Sequence, residues 1–128
     1  MPLIYVCSPY KGDMERNTAR AQRYCRFVVS QGGVPYAHIH NTQFLQEEIP
    51  EERQAGIWLG LEMLRRADAV WAFGDYLTTG MRAELELAME LRLPMRFFTD
   101  TCEEKAWEGN ALPSPGSHGS PGEGGKTS

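Results

Sequence analysis

The chain opens with Leu3-Ile4-Tyr5-Val6-Cys7 and continues with Ser8-Pro9-Tyr10-Lys11-Gly12-Asp13, and its architecture follows from this beginning. The first run is continuously apolar and favours β-structure, which predicts a strand buried on both faces. The small and polar residues after it predict a turn. Asp13 is a suitable helix N-cap. A buried strand that passes through a turn into a helix is typical of a parallel α/β sheet.

Further along, apolar residues alternate between helical and strand-like spacing, whereas residues 38–50 have no clear period and predict a loop. Alternating strands and helices imply parallel pairing, right-handed crossovers and helices on both faces of the sheet. We therefore predict a three-layer α/β sandwich of the flavodoxin or Rossmann-like kind. Its parallel sheet has four or five strands in the order 2-1-3-4, the fifth arising if the segment after Thr99 adds one. The other predicted elements are a helix over Met14–Gln31, a strand at Val34–Ala37, a helix from Ile49 to about Arg66, a strand at Ala69–Phe73, a helix over Met81–Leu91 and a strand at Pro94–Phe98.

Helical spacing also predicts which side chains face the core. Trp58 and Trp71 are interpreted as core or interface residues. The predicted inward faces are Met14, Thr18, Ala21, Cys25 and Val28 on the first helix, Ile57, Leu61 and Leu64 on the second, and Met81, Leu85 and Ala88 on the third.

The composition is that of an ordinary globular protein, with 41% apolar and 23% charged residues among 128. This length suits one domain, which we place at residues 1–100. Residues 101–128 are rich in Gly, Ser and Pro and predict a disordered tail, because they offer little apolar surface to offset the entropy of ordering. The net charge of −4 gives no general attraction to polymeric nucleic acid or to an anionic membrane.

The sequence gives no sign of a membrane or secretory segment. No apolar run approaches the length that spans a bilayer, and the N-terminus lacks a basic leader and a cleavage site. The three cysteines show no CxxC spacing, so we expect neither a disulfide framework nor a metal site. A cytoplasmic location fits this pattern, and no cofactor is expected.

The carboxyl ends of the strands are the expected ligand site in an open α/β sheet. Three polar segments converge there, at Ser8–Asp13, Ala37–Asn41 and Gly74–Glu84. Gly80 allows close approach of a ligand to the helix start, where free N–H groups favour an anion. Glu84 lies one turn farther and could act as a nucleophile or a base. The alternative is a surface glutamate on a helix that carries other glutamates.

Other residues near this edge could bind a substrate. Tyr10 could stack on a flat ring or simply cover the end of the sheet. Arg16 could reach a phosphate or belong to a solvated basic face. His38 and His40 alternate after the second strand, so one of them should face the pocket. The full predicted substrate-binding set is Ser8, Pro9, Tyr10, Arg16, His38, Asp75, Thr79, Gly80 and Met81.

Three segments together resemble the nucleoside 2-deoxyribosyltransferase-like superfamily, and most of all its small bacterial and phage domains. They are Tyr5–Asp13, Ala67–Gly74 and Gly80–Ala88, and their spacing also fits. The resemblance implies that Glu84 is a nucleophile that attacks the anomeric carbon of a nucleoside or nucleotide. It implies that Ser8 and Tyr10 line the pocket. It also implies a small-molecule substrate and a homo-oligomer.

Two positions depart from that superfamily's pattern. Thr78 stands where characterised transferases carry an acidic residue, and Gly60 stands near the place of a second, with Glu62 two residues on. The C-terminal segment that completes a neighbour's site in those enzymes has no clear match. Hydrolysis of an N-glycosidic bond needs fewer of these groups than transfer does. The alternatives are a non-catalytic nucleotide-binding module, acting as a sensor or a ligand sponge, and a partner-binding domain.

Overall fold

A computed structural model describes residues 1–106 of the protein. Strands and helices alternate along the chain, and a short 3₁₀ helix at His38–Gln43 occupies part of the segment predicted as a loop. The elements are β1 (Leu3–Cys7), α1 (Met14–Ser30), β2 (Val34–Tyr36), α2 (Pro50–Arg66), β3 (Ala69–Phe73), α3 (Thr79–Glu90), β4 (Met95–Phe98) and β5 (Glu104–Lys105).

The sheet has five strands in the order β2-β1-β3-β4-β5. The pairs β1–β2, β1–β3 and β3–β4 are parallel, which confirms the predicted α/β class and the 2-1-3-4 order. Strand β2 lies at one edge, where Pro35 is tolerated because an edge strand leaves some N–H positions unpaired. From β1 the chain first adds β2 on one side and then returns to add β3 and β4 on the other, so the strand order reverses between β1 and β3.

The fifth strand differs from the all-parallel prediction, since β5 pairs antiparallel with β4. The connection from Thr99 to Glu103 is too short for a crossover, and such short links join antiparallel neighbours. The Thr99 amide donates to the Glu103 carbonyl at 2.8 Å and closes this turn. The sheet thus extends past residue 100, into the start of the predicted tail. Residues 107–128, the remainder of that tail, lie outside the described residues.

Side chains of β1 alternate between two cores. Ile4 and Val6 pack with residues of α1 on one face, whereas Tyr5 and Cys7 pack with residues of α2 and α3 on the other. This alternation is the usual consequence of the strand pleat. Helices therefore cover both faces of the sheet, as predicted. The predicted inward residues of α3 are confirmed, since Met81, Leu85 and Ala88 are buried.

The buried stripe of α1 differs from the predicted one. Asn17, Ala21, Tyr24 and Val28 are its buried residues, whereas Met14 is exposed and Thr18 and Cys25 are only partly buried. The difference arises because Asn17 and Tyr24 carry polar groups, and buried polar groups are tolerated when they are hydrogen-bonded. The Tyr24 ring stacks on Phe73 at 4.4 Å, and its hydroxyl donates to Asp100.

Helix α2 approaches the sheet through small residues rather than through the predicted Ile57. Ile57 is 48% exposed and Trp58 is 57% exposed, whereas Gly56 and Leu64 are buried. A Cβ atom added at Gly60 would stand 3.3 Å from the Tyr5 hydroxyl oxygen. Close packing on Gly56 and Gly60 therefore leaves Ile57 and Trp58 exposed, whereas Leu64 is buried as predicted and Leu61 is partly buried. Trp71, by contrast, is buried as predicted.

Within the described residues, no helix combines the length and the apolar character that crossing a membrane requires.

Candidate functional site

The start of α3 lies beside the carboxyl ends of β1 and β3. Thr78 caps the helix, and its hydroxyl oxygen accepts a hydrogen bond from the Met81 amide at 3.1 Å. Thr79 and Gly80 follow and are exposed. Thr78, which stands at a position where the resemblance implies an acidic residue, thus has a local structural role.

The Glu84 carboxylate turns toward β1 rather than into bulk water. The Tyr5 hydroxyl donates to its Oε2 atom at 2.6 Å, and the Cys7 thiol donates to its Oε1 atom at 3.3 Å. Each carboxylate oxygen therefore has its own donor from the same strand. This arrangement fixes the rotation of the carboxylate as well as its position.

The pKa shifts of Glu84, Tyr5 and Cys7 agree with the direction of these two hydrogen bonds. Burial raises the pKa of Glu84, while the hydrogen bonds from Tyr5 and Cys7 oppose that rise by stabilising the charged form. Burial, followed by the charge of Glu84, raises the pKa of Tyr5 and of Cys7 well above their ordinary values. Both neighbours therefore keep their protons at neutral pH and act as donors to the carboxylate.

Sequence reasoning selected Glu84 but missed Tyr5 and Cys7 as its partners. Two residues apart on a strand, they point to the same face of the sheet. Helix α3 covers that face, and its buried Met81 and Leu85 flank the position of Glu84. The sequence did carry a signal for this contact. Tyr5 and Cys7 place a hydroxyl and a thiol on the core side of a strand, and the helix that packs there has a glutamate among apolar residues.

A second polar cluster covers the carboxyl end of β2. The ring of Tyr10 lies against the ring of His38, with 4.4 Å between their centroids. The Nε2 atom of His38 is 2.8 Å from Oε2 of Glu47. The 3₁₀ helix that begins at His38 is anchored by the buried Asn41, which accepts from the Tyr36 hydroxyl at 2.7 Å. His40 instead stacks on Tyr36, so of the two alternating histidines His38 is the one that contacts Tyr10.

The remaining predicted site residues are spread over this edge of the sheet. Ser8 is half-buried, Met81 is buried and Arg16 is exposed. Pro9, which is buried, and Asp75 both line a cavity of about 40 Å³ on the α1 side of the sheet. That volume is close to the size of a water molecule.

A larger cleft, of about 640 Å³, lies where β3 and β4 end, with Arg82 and Lys105 at its wall. Glu84, Ser8 and Tyr10 are not among the residues that line it. Six of the ten predicted residues therefore fall into three pairs: Glu84 with Met81, Tyr10 with His38, and Pro9 with Asp75, of which Asp75 also lines the larger cleft. Among residues 1–106, no three His, Cys, Asp or Glu side chains are placed to hold a metal ion.

The described residues form a Rossmann-like α/β domain. A 2-deoxyribosyltransferase structure from Bacillus psychrosaccharolyticus superposes with a TM-score of 0.64 at 24% sequence identity, over 79% of this chain and 74% of that one. Residues 2–98 match the family described as a domain of unknown function, DUF7768, and the chain belongs to that family. No curated protein matches the sequence significantly.

Proposed function

We propose that the protein cleaves or transfers the N-glycosidic bond of a nucleoside or nucleotide, with Glu84 as the nucleophile. The observation that carries this proposal is the carboxylate held between the Tyr5 hydroxyl and the Cys7 thiol at the carboxyl edge of the sheet. The fold shared with a 2-deoxyribosyltransferase supports it. A carboxylate that is oriented and partly dehydrated suits attack on a sugar carbon.

The reaction would proceed through a covalent intermediate. One carboxylate oxygen of Glu84 attacks the anomeric carbon, the bond from that carbon to the base nitrogen breaks, and its electron pair leaves with the base. The base takes up a proton. Water or a second base then attacks the same carbon, and the bond to Glu84 breaks with return of its electron pair to the carboxylate. Two inversions retain the configuration, as in retaining glycosidases.

The two oxygens of Glu84 are not equivalent, which bears on which of them attacks. The phenol at 2.6 Å is a strong donor to Oε2, whereas the thiol at 3.3 Å is a weak donor to Oε1. A strong hydrogen bond withdraws electron density from the atom that accepts it. We therefore assign the attack to Oε1.

The neighbouring residues offer binding functions in this scheme. Exposed N–H groups around Thr79 and Gly80, at the N-terminus of α3, suit a sugar oxygen or a phosphate. Ser8, Tyr10 and His38 would face the base. The exposed Arg16 would reach a phosphate only if a ligand extends toward α1.

Base release from a panel of substrates tests the proposal. The panel comprises deoxynucleosides, nucleoside monophosphates and NAD, and chromatography detects the free base. We expect Glu84→Gln to lower release by roughly 10³-fold or more, since removal of a nucleophile abolishes the covalent route. Glu90→Gln, on the exposed side of the same helix, is the matched control and should leave release unchanged. Absence of release from the whole panel, or release that survives Glu84→Gln, would contradict the proposal.

A second candidate function is nucleotide binding without turnover. Two structural observations favour it. Thr78 serves as a helix cap, and the space beside Gly60 is taken by the Tyr5 hydroxyl. The two positions that are acidic in characterised transferases thus serve packing here. This alternative predicts that a nucleotide raises the Tm by mass action while no product forms.

A further inference from the structure

We propose that His38, held by Glu47, gives the proton to the departing base and later takes one from the incoming acceptor. The inference rests on the proposed function of Glu84 and deepens it. Departure of a base from a sugar leaves an electron pair on the base, so a proton donor speeds the step. Thr78 and Gly60 offer no titratable group for that purpose.

His38 lies on the same side of the sheet as the group that holds Glu84. Its Cε1 atom is 3.9 Å from the position of a Cβ atom on Gly56, and the Tyr5 hydroxyl oxygen is 3.3 Å from the corresponding position on Gly60. The two glycines are four residues apart on α2, so they lie on one face of the helix with a rise of about 6 Å between them. The imidazole and the Tyr5 hydroxyl that holds Glu84 therefore lie against the same face of α2, about one turn apart.

Glu47 fixes how the imidazole is presented. Its Oε2 atom is 2.8 Å from Nε2 of His38, so that nitrogen carries the proton of the pair and Nδ1 is left for the substrate. A carboxylate behind an imidazole both orients the ring and stabilises its charged form. Glu47 is therefore a positioning residue, and His38 is the group that would touch the substrate.

Other titratable groups that face His38 do not compete for this role. Glu47 pairs with it, Tyr10 packs against its ring, and Glu48 lies near Tyr10. Burial and the charges of Glu47 and Glu48 raise the pKa of Tyr10, which keeps its phenol protonated and makes it a poor acid near neutral pH. Histidine is the side chain that most often acts as a general acid or base.

The proton balance closes over the two half-reactions. As the bond between the anomeric carbon and the base nitrogen breaks, the Nδ1–H of protonated His38 donates to a ring nitrogen of the base. His38 is then neutral, with its remaining proton on Nε2 facing Glu47. In the second half-reaction Nδ1 takes a proton from the attacking water or base, and the starting state returns.

Two substrates that differ in their need for a proton test this role. Adenine must be protonated as it leaves deoxyadenosine, whereas N7-methylguanine already carries a positive charge in its nucleoside and leaves without a proton. We expect His38→Gln to lower adenine release by roughly 10²- to 10⁴-fold while release of N7-methylguanine changes little. Glu47→Gln should show a smaller loss with the same bias, together with an altered pH profile. His40→Gln, whose ring stacks on Tyr36, is the matched control.

Each outcome decides the matter. If His38→Gln lowers release of both bases equally, the inference is overturned while the role of Glu84 stands. If the wild type releases neither base, the inference is overturned, and the proposed function fails with it only if the whole panel also yields no free base. Circular dichroism checks the fold of each variant. If His38→Gln does not fold, the bias and pH profile of Glu47→Gln carry the test, and an unbiased loss there overturns the inference.

Discussion

Glu84 accepts hydrogen bonds from two donors of unequal strength, and both donors come from one short strand. Tyr5 contributes a phenol and Cys7 a thiol, each in contact with a different oxygen. Because both donors stay protonated, they stabilise the ionised carboxylate against the burial that opposes it. At the scale of single residues, the chemistry of the site depends on this balance.

Tyr5→Phe tests the balance directly. The substitution removes the stronger donor to the charged form, so we expect the pKa of Glu84 to rise above that of the wild type. Cys7→Ala should raise it less, and Cys7→Ser should restore a donor and bring it back. Carbon-13 NMR of the side-chain carboxyl, assigned with Glu84→Gln, measures these shifts.

Tyr36→Phe is the matched control for this series. The Tyr36 ring lies 5.6 Å from that of Tyr5, but its hydroxyl donates to Asn41 rather than to Glu84. Its removal should leave the pKa of Glu84 unchanged. If Tyr5→Phe lowers that pKa, or leaves it where it was, the hydrogen bond does not have the role assigned to it.

At the scale of the elements, Asp100 ties the hairpin of β4 and β5 to α1. Its carboxylate accepts from the Tyr24 hydroxyl at 2.6 Å and from Arg23 at 3.0 Å. The Tyr24 hydrogen bond is the largest cause that lowers the pKa of Asp100, and nearby arginines add to it. A carboxyl whose pKa is lowered by folding stabilises the protein when it is ionised. Acid should therefore weaken the attachment of the hairpin.

Asp100→Asn should lower the free energy of unfolding by about 1 kcal/mol at neutral pH, because Asp100 is partly exposed and the interaction is screened. The contribution is complete above the ordinary Asp pKa of about 3.9 and is lost as the pH falls through the lowered value. The difference in Tm between wild type and variant should therefore shrink below about pH 4. Calorimetry over a pH series measures it, with the exposed Glu103→Gln as control. A difference that grows with acid would contradict this account.

The elements themselves were largely predictable from the sequence, and their side-chain contacts were predictable only in part. Continuous apolar runs identified β1 and β3, and heptad-like spacing identified the buried face of α3. The buried face of α1 was wrong at Met14 because the reasoning counted apolar residues alone. Asn17 and Tyr24 are buried with their polar atoms bonded, which a hydrophobic pattern does not reveal.

The partners of Glu84 and the direction of β5 could not be read from periodicity. Tyr5 and Cys7 meet Glu84 across 79 and 77 residues of sequence, so their contact depends on strand order and helix placement. The antiparallel β5 has only two residues, too few for a periodic signal. Both features depend on tertiary geometry rather than on local preference.

At the scale of the whole molecule, the outer face of α2 predicts self-association. Ile57 and Trp58 are adjacent and about half exposed, and Leu61 follows one turn later. The resemblance that implies a homo-oligomer agrees with a second copy of the chain covering this surface. Neighbouring exposed side chains of this size favour burial against a partner.

Light scattering at micromolar concentration checks this expectation. The wild type should be larger than a monomer, and Trp58→Ser should shift it toward the monomer. Val29→Ser, on α1, is the matched control because Val29 is equally exposed at 57%. A monomeric wild type would remove the expectation.

The short β5 has a practical consequence for anyone who trims the protein. The Nζ atom of Lys105 donates to the carbonyl of Gly74 at 2.8 Å, and Gly74 directly follows β3. Cutting the chain at residue 100 would cut this tether and free the loop that leads into α3. A shortened version intended for crystals or assays should therefore keep its residues through Ala106, so that Lys105 still holds the loop between β3 and α3, the helix that carries Glu84.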